Sequence, residues 1–396
     1  MRVALLTREY PPEIYGGAGV HVEYLSRELA RLVDVSVHCF GSPRESPLVA
    51  GAYRPWEAIN TAAPHDAALR TLSVNLLMAA GVAGTDLVHS HTWYANFGGH
   101  LAKLVHGVPH VATSHSLEPR RPWKAEQLGG GYAVSGFCER TALEAADAVI
   151  AVSRAMREDV LACYPDIDPG RVVVVHNGVD ADEFRPDPGN DALLRLGIDP
   201  DRPSVVFVGR ISRQKGIEHL LAAATAIDPA AQLVLFPSAP DTAEVGREMR
   251  ARAEALAESR GSVLWLEEVI PRSELIQVLT HATVFVCPSV YEPFGLVNVE
   301  AMACGTAVVA SATGGIPEVI DDGETGLLVP FEAATGGSPA DPARFAADLA
   351  GSINQLLAEP DAARAMGAAG RARVLERFSW PAIATRTVDL YRSLLS

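Results

Sequence analysis

"SVVFVGRISRQKGIEHL", residues 204–220, is the stretch from which the fold follows. Its first part, SVVFVGR, is apolar without alternation, as a strand covered on both faces of a parallel sheet must be. Gly216 then breaks the chain, and IEHL starts a helical pattern. Strand, short loop and helix make half of a βαβ unit, so the fold depends on whether the rest of the chain repeats it.

It does repeat, in two series. The first holds "VALLT" 3–7, "VSVHCF" 35–40, "DLVHSH" 86–91, "VPHVATSH" 108–115, "DAVIAVS" 147–153 and "RVVVVHNG" 171–178. The second holds SVVFVGR, "QLVLFPS" 232–238, "SVLWLEE" 262–268, "TVFVCPS" 283–289, "TAVVAS" 306–311 and "GLLVP" 326–330. Helical periodicity fills the gaps. Val22, Leu25, Leu29 and Leu32 form one such stripe, in a helix expected to begin at Val20. Between the series, residues 180–203 are rich in Pro, Asp and Gly and read as a linker. The expected class is α/β, with two doubly wound Rossmann-like domains, residues 1–185 and 200–379, facing each other across a cleft. Residues 380–396 are expected to form a helix, with Pro381 in its first turn, that packs back on the first domain.

Composition narrows the function. A formal charge of −15 over 396 residues opposes binding to nucleic acid or to an anionic membrane. No apolar run approaches the roughly 18 residues of a membrane span. The five cysteines show no paired spacing, which excludes a zinc ribbon or disulfide framework. The chain start reads as a strand soon broken by Pro11 and Pro12 rather than as a leader, and the expected compartment is the cytoplasm. A homo-oligomer stays open.

Ligands of such sheets bind outside the carboxyl ends of the strands, so chemistry is sought there. Arg210 and Lys215 lie between a strand and a helix, where two cations and backbone N–H groups suit a diphosphate. In "YEPFGLVNVEAMACG", 291–305, Glu292 falls in a loop and Glu300 about one turn into a helix. Carboxylates so placed accept hydrogen bonds from sugar hydroxyls. "GGAG", 16–19, opens a helix without dinucleotide spacing and reads equally as phosphate cradle or tight turn. His115 ends a strand beside "HSHTW" 89–93. None of these histidines has zincin spacing, so no metal site is expected. The pairs Asp166/Asp168, Asp180/Asp182 and Asp199/Asp201 lie near Pro or Gly and read as turns.

Together, "GGAG", "SHS", "GRISRQKG" and "YEPFGLVNVEAMACG" followed by "ATGGIPEVI" resemble the retaining GT-B glycosyltransferases of family 4, in the family's order along the whole chain. Further stretches, "REYPPEIYGGAGVHVEYL", "DLVHSHTWYANFGGHLA" and "TSHSLEPRRPWKAEQLGGGY", are similar to the actinobacterial members long labelled glycogen synthase. The resemblance implies a nucleotide sugar and a sugar phosphate as partners: ADP-glucose as donor, α-glucose 1-phosphate as acceptor and α-maltose 1-phosphate as product. It implies no cofactor and no metal. Arg210 and Lys215 would grip the donor diphosphate, with Gly16 and Gly17 close to it. Glu300 would hold the ribose and Glu292 the glucose, helped by backbone groups of Phe294, Gly295 and Leu296. His115 would face the reacting carbon.

Polymer-making relatives carry a Lys-Thr-Gly-Gly loop near the start. Here Ile14 and Tyr15 precede Gly16 and Gly17, and the missing lysine favours a small acceptor. An acceptor phosphate needs its own cations, for which Arg8, Arg120, Arg121 and Lys124 are the candidates; Glu118 and Glu126 would otherwise balance the last three. Trp93 and Trp123 are candidates to stack on a sugar ring. The alternatives are a synthase that extends α-1,4-glucan, a GT-B-shaped sugar-nucleotide epimerase and a nucleotide-sugar sensor.

Overall fold

The computed structural model describes residues 1–14, 16–334 and 337–396. Tyr15, part of the loop that replaces the lysine, lies outside them. The chain divides into two units, Met1–Gly178 with Trp380–Ser396, and Val179–Ser379.

The first unit is built on a seven-stranded sheet in the order β3-β2-β1-β4-β5-β6-β7. Its strands are β1 Arg2–Thr7, β2 Asp34–Phe40, β3 Val49–Tyr53, β4 Leu87–His91, β5 His110–Ser114, β6 Ala148–Ala151 and β7 Val172–Val174. Every pairing is parallel. β4 and β5 are buried at every residue, as their unbroken apolar character requires. The edge strand β3, half-exposed and carrying Gly51, has too little apolar pattern to stand out in sequence.

In the second unit a six-stranded parallel sheet runs β10-β9-β8-β11-β12-β13. Its strands are β8 Ser204–Arg210, β9 Gln232–Ser238, β10 Val263–Trp265, β11 Val284–Cys287, β12 Val308–Ser311 and β13 Gly326–Val329. In both sheets the strand order reverses beside the unit's first strand, between β1 and β4 and between β8 and β11. Those reversals open the crevices that take ligands in doubly wound sheets.

Two boundaries differ from expectation, and the closing helix follows it. The first unit ends at Gly178, and residues 186–199 are not an inter-domain linker but part of the second unit. They carry a helix, Asp191–Leu196, held where Ala192 N–H donates to Gln277 Oε1 at 3.0 Å. The opening helix starts at Gly17, not Val20, and ends at Leu29, leaving Leu32 exposed beyond it. The last helix, Trp380–Leu395, belongs to the first unit and buries Trp380, Ile383, Val388 and Tyr391 in its core. Among the described residues no helix is long and apolar enough to cross a membrane.

Candidate functional site

In the second unit the chemistry gathers where β8 and β11 lie side by side, with Val205 opposite Val284. Arg210 is the last residue of β8, and its guanidinium donates to Asp241 Oδ1 at 2.7 Å. The chain then makes a tight turn, Arg213–Lys215, capped by Ser212, whose hydroxyl accepts from Lys215 N–H. Gly216 has φ +62°, and a Cβ there would lie 2.0 Å from the Pro288 carbonyl oxygen. Only glycine lets the loop after β8 close on the loop after β11. That approach brings Lys215 Nζ to Glu292 Oε2 at 2.5 Å, while Ser289 Oγ donates to the same oxygen at 3.1 Å. Burial works against the Lys215 charge, but the Glu292 carboxylate outweighs it and holds the ammonium pKa above its ordinary value.

Glu292 is fixed from behind. Gly314 has φ +54°, a Cβ there would meet the Glu292 carbonyl at 2.1 Å, and Gly315 N–H donates to that carbonyl at 2.8 Å. This contact explains the "ATGG" stretch. Gly295 starts the helix Leu296–Ala303, on which Glu300 is half-buried. Burial pushes the Glu300 pKa up to about 7; Arg272 and Lys215 oppose the shift and Glu183 adds to it. The Phe294 side chain is core, packed edge-on to Phe378, so its backbone is what remains for a ligand. Asn298, fully buried beneath Gly295, has neither amide atom hydrogen-bonded among the described residues.

One feature was not expected from the sequence. A cavity of about 510 Å³ opens beside the ends of β8 and β9, walled by Ile211, Phe236, Pro240, Val269, Ile270 and Leu275, with Arg247, Arg250 and Glu267 at its polar positions. The apolar segment "VI" at 269–270 following β10, with Val269 almost fully exposed, is the one signal that points to it.

In the first unit Arg8 follows β1, and its guanidinium lies 4.1 Å from the ring centre of Tyr94. Burial alone would raise the Tyr94 pKa, yet Arg8, Lys124 and Arg121 together bring it below the ordinary value. Three of the four expected acceptor cations therefore act on one phenol, with Arg8 directly over its ring, a residue the sequence did not single out. Arg120 does not join them: it pairs with Asp159 at 2.7 Å. Arg121 is buried against Glu118. Trp93 is 1% exposed and stacked on Tyr94, a core residue closed to a sugar, whereas Trp123 is half-buried.

At the glycine opening, Gly16 N–H donates to Glu9 Oε2 at 2.7 Å, so a carboxylate of the chain itself accepts from this loop. The Asp pairs are turns: Asp168, Asp180 and Asp199 each accept from a backbone N–H two residues on.

His115 directly follows β5 and meets two other histidines. His91 Nδ1 lies 3.1 Å from His115 Nε2, and the His21 ring is 4.7 Å from that of His115. Burial lowers the pKa of His21 to about 4; burial and the neighbouring rings hold His115 well below the usual range. Helical i, i+4 spacing does not reveal the group because its members come from a helix, the end of β4 and the residue after β5.

Comparison with known proteins agrees with this layout. Residues 15–183 match the domain described as Glycosyltransferase Family 4, and residues 194–373 match Glycosyl transferases group 1. The chain is 54% identical over 397 residues, the whole of both chains, to the α-maltose-1-phosphate synthase of Mycolicibacterium smegmatis. Sucrose-phosphate synthase from Thermosynechococcus elongatus superposes with TM-score 0.76 at 30% identity, over 99% of this chain and 98% of that one. HepE of Anabaena in complex with UDP-glucose gives TM-score 0.77 over 99% and 100% of the chains; at 19% identity it shares the fold. With both sheets matched and more than half its residues shared along a full-length relative, the chain belongs to the GT-B glycosyltransferases of family 4.

Proposed function

We propose that the protein moves glucose from ADP-glucose to α-glucose 1-phosphate with retention, forming α-maltose 1-phosphate for α-1,4-glucan synthesis, without a metal ion. The observation that carries this reading is the 54% identity, end to end, with an α-maltose-1-phosphate synthase. The donor diphosphate takes Arg210 and Lys215, its ribose Glu300, and its base the apolar cavity beside β8 and β9. Lys215 exchanges Glu292 for the diphosphate, and the released Glu292 accepts from glucose hydroxyls.

As the bond from the glucosyl carbon to the phosphate oxygen breaks, negative charge grows on the departing ADP. Fixed cations stabilise that charge more than they stabilise the bound substrate, and one such contact is worth ~3 kcal/mol, roughly a hundredfold in rate. The acceptor 4-oxygen attacks on the face that ADP leaves, and its proton passes to the leaving phosphate oxygen. Arg8, Lys124 and Arg121 around Tyr94 hold the acceptor phosphate, and His115, neutral at pH 7, donates or accepts a hydrogen bond at the sugar. Donor and acceptor are both charged and do not cross membranes unaided, so the proposed reaction is a cytoplasmic one.

The test is product analysis with ADP-glucose and α-glucose 1-phosphate. A phosphorylated disaccharide is the expected product. Transfer to glycogen with none to the sugar phosphate would instead make the protein a chain-extending synthase.

A further inference from the structure

His21, His91 and His115 lie on three separate elements: the helix Gly17–Leu29, the end of β4 and the residue after β5. One ring nitrogen of each falls within 4.8 Å of the others. Their ring centres are 5.4 Å apart for His21 and His91, 4.7 Å for His21 and His115, and 5.4 Å for His91 and His115. Three imidazoles on one tetrahedral zinc, with Zn–N of about 2.0 Å, have ring centres about 5.2 Å apart and ligand nitrogens about 3.3 Å apart. The His91 Nδ1 to His115 Nε2 distance is 3.1 Å. One nitrogen pair thus has the separation of zinc ligands, and the three ring centres lie within about 0.5 Å of the spacing such an ion needs.

Proton placement fits as well. His21 Nδ1 lies 2.8 Å from Asn177 Oδ1. An amide oxygen only accepts, so the ring proton sits on Nδ1 and Nε2 keeps its lone pair. His21 is 3% exposed and that Nε2 has no hydrogen-bond partner among the described residues; His91 is fully buried and turns its Nδ1 toward His115 Nε2. An outer hydrogen bond that fixes tautomer and ring orientation is the usual support of a metal-binding histidine. His115 is the partly exposed member and gives the ion a way in.

The geometry points to a three-histidine site for zinc at His21, His91 and His115, with water or substrate as fourth ligand, that shuts off glucosyl transfer by occupying His115. The inhibitory half rests on the role proposed for His115; the binding half does not.

Cobalt(II) titrated into the full chain should give the visible absorption bands of a four-coordinate ion, saturating near one equivalent and displaced by zinc. His21→Gln and His91→Gln should each abolish the bands, while His65→Gln and His106→Gln leave them. X-ray absorption on the unaltered chain with one equivalent of zinc needs no variant to fold, and should show three imidazole nitrogens at about 2.0 Å. Fewer than three imidazoles, or cobalt bands that survive His21→Gln, overturn the site. With the site established, one equivalent of zinc should lower glucosyl transfer at least tenfold and a chelator should restore it. Full activity with zinc bound overturns the inhibition alone, and a chain with no transferase activity still reports on binding through cobalt.

Discussion

Lys215 and Glu292, 77 positions apart in the sequence, share one hydrogen bond of 2.5 Å between the loops that follow β8 and β11. The two groups proposed to hold diphosphate and glucose thus neutralise each other before either substrate is bound, so donor binding is an exchange of partners. The charge is stored in place at little cost, since a buried ion left single would be far less stable than a pair.

Removing the cation tests the exchange. Lys215→Ala should lower kcat roughly a hundredfold or more, and should also lower the melting temperature because Glu292 is left alone in a buried position. Adding Glu292→Gln should restore the melting temperature and leave kcat low. Steady-state rates beside thermal melts separate the two effects, and a double variant with recovered turnover refutes the role of Lys215.

Glu300 sets a pH dependence. Its pKa of about 7 leaves it protonated on the acid side, where it accepts ribose hydroxyls poorly. Donor KM should therefore fall as pH rises from about 6 to about 8, and Glu300→Gln should flatten the profile. Linkage has the opposite sign for folding. A carboxyl whose pKa is raised in the folded chain weakens stability as pH climbs from its ordinary value through about 7, and Glu300→Gln should remove that loss.

Acceptor recognition is expected at Tyr94. Arg8→Ala and Tyr94→Phe should each raise KM for α-glucose 1-phosphate about tenfold, worth ~1.4 kcal/mol, with donor KM unchanged. Added salt should weaken acceptor binding in the parent and less so in Arg8→Ala. Equal rises in both KM values would remove Tyr94 from the acceptor site.

Metal removal gives a plain outcome. Exhaustive treatment with a chelator should leave glucosyl transfer intact or raise it, because the proposed chemistry gives Arg210 and Lys215 the work that a divalent ion does in other enzymes. Loss of turnover, restored by magnesium or manganese, contradicts this.

The first unit should depend on its last helix. Tyr391 OH and His89 Nδ1 are 2.6 Å apart in the core, so Tyr391→Phe should cost about 1–3 kcal/mol by leaving a buried ring nitrogen without a partner. Trp380→Ala, which empties a position stacked on Tyr24, should cost about 3–5 kcal/mol. Hydrogen exchange resolved by segment should show the loss in residues 1–178 rather than in the second unit.

Much of this was legible in sequence because parallel strands announce themselves. The run at 232–238 reads as a strand and is β9 residue for residue, since central strands are apolar throughout. Arg210, Lys215 and Glu292 stood out as candidates because they follow β8 and β11, and Glu300 because a helix starts just after that loop. Tyr94 was hidden: its meaning lies in three cations drawn from distant segments, while Trp93 beside it looks more like a sugar platform and is core. His21 was hidden in the same way, by a contact with His115 that no spacing rule encodes. The Gly16 loop read equally as cradle or turn because no spacing rule shows that Glu9 accepts from its N–H.

The closing helix sets the order of assembly. Trp380, Ile383, Val388 and Tyr391 fill the core of a unit whose other residues end at Gly178. On the ribosome the first sheet must wait, its apolar face uncovered, while the entire second unit is translated. The second unit is contiguous in the chain and needs no such delay, so the part of this protein made first is the part that finishes folding last.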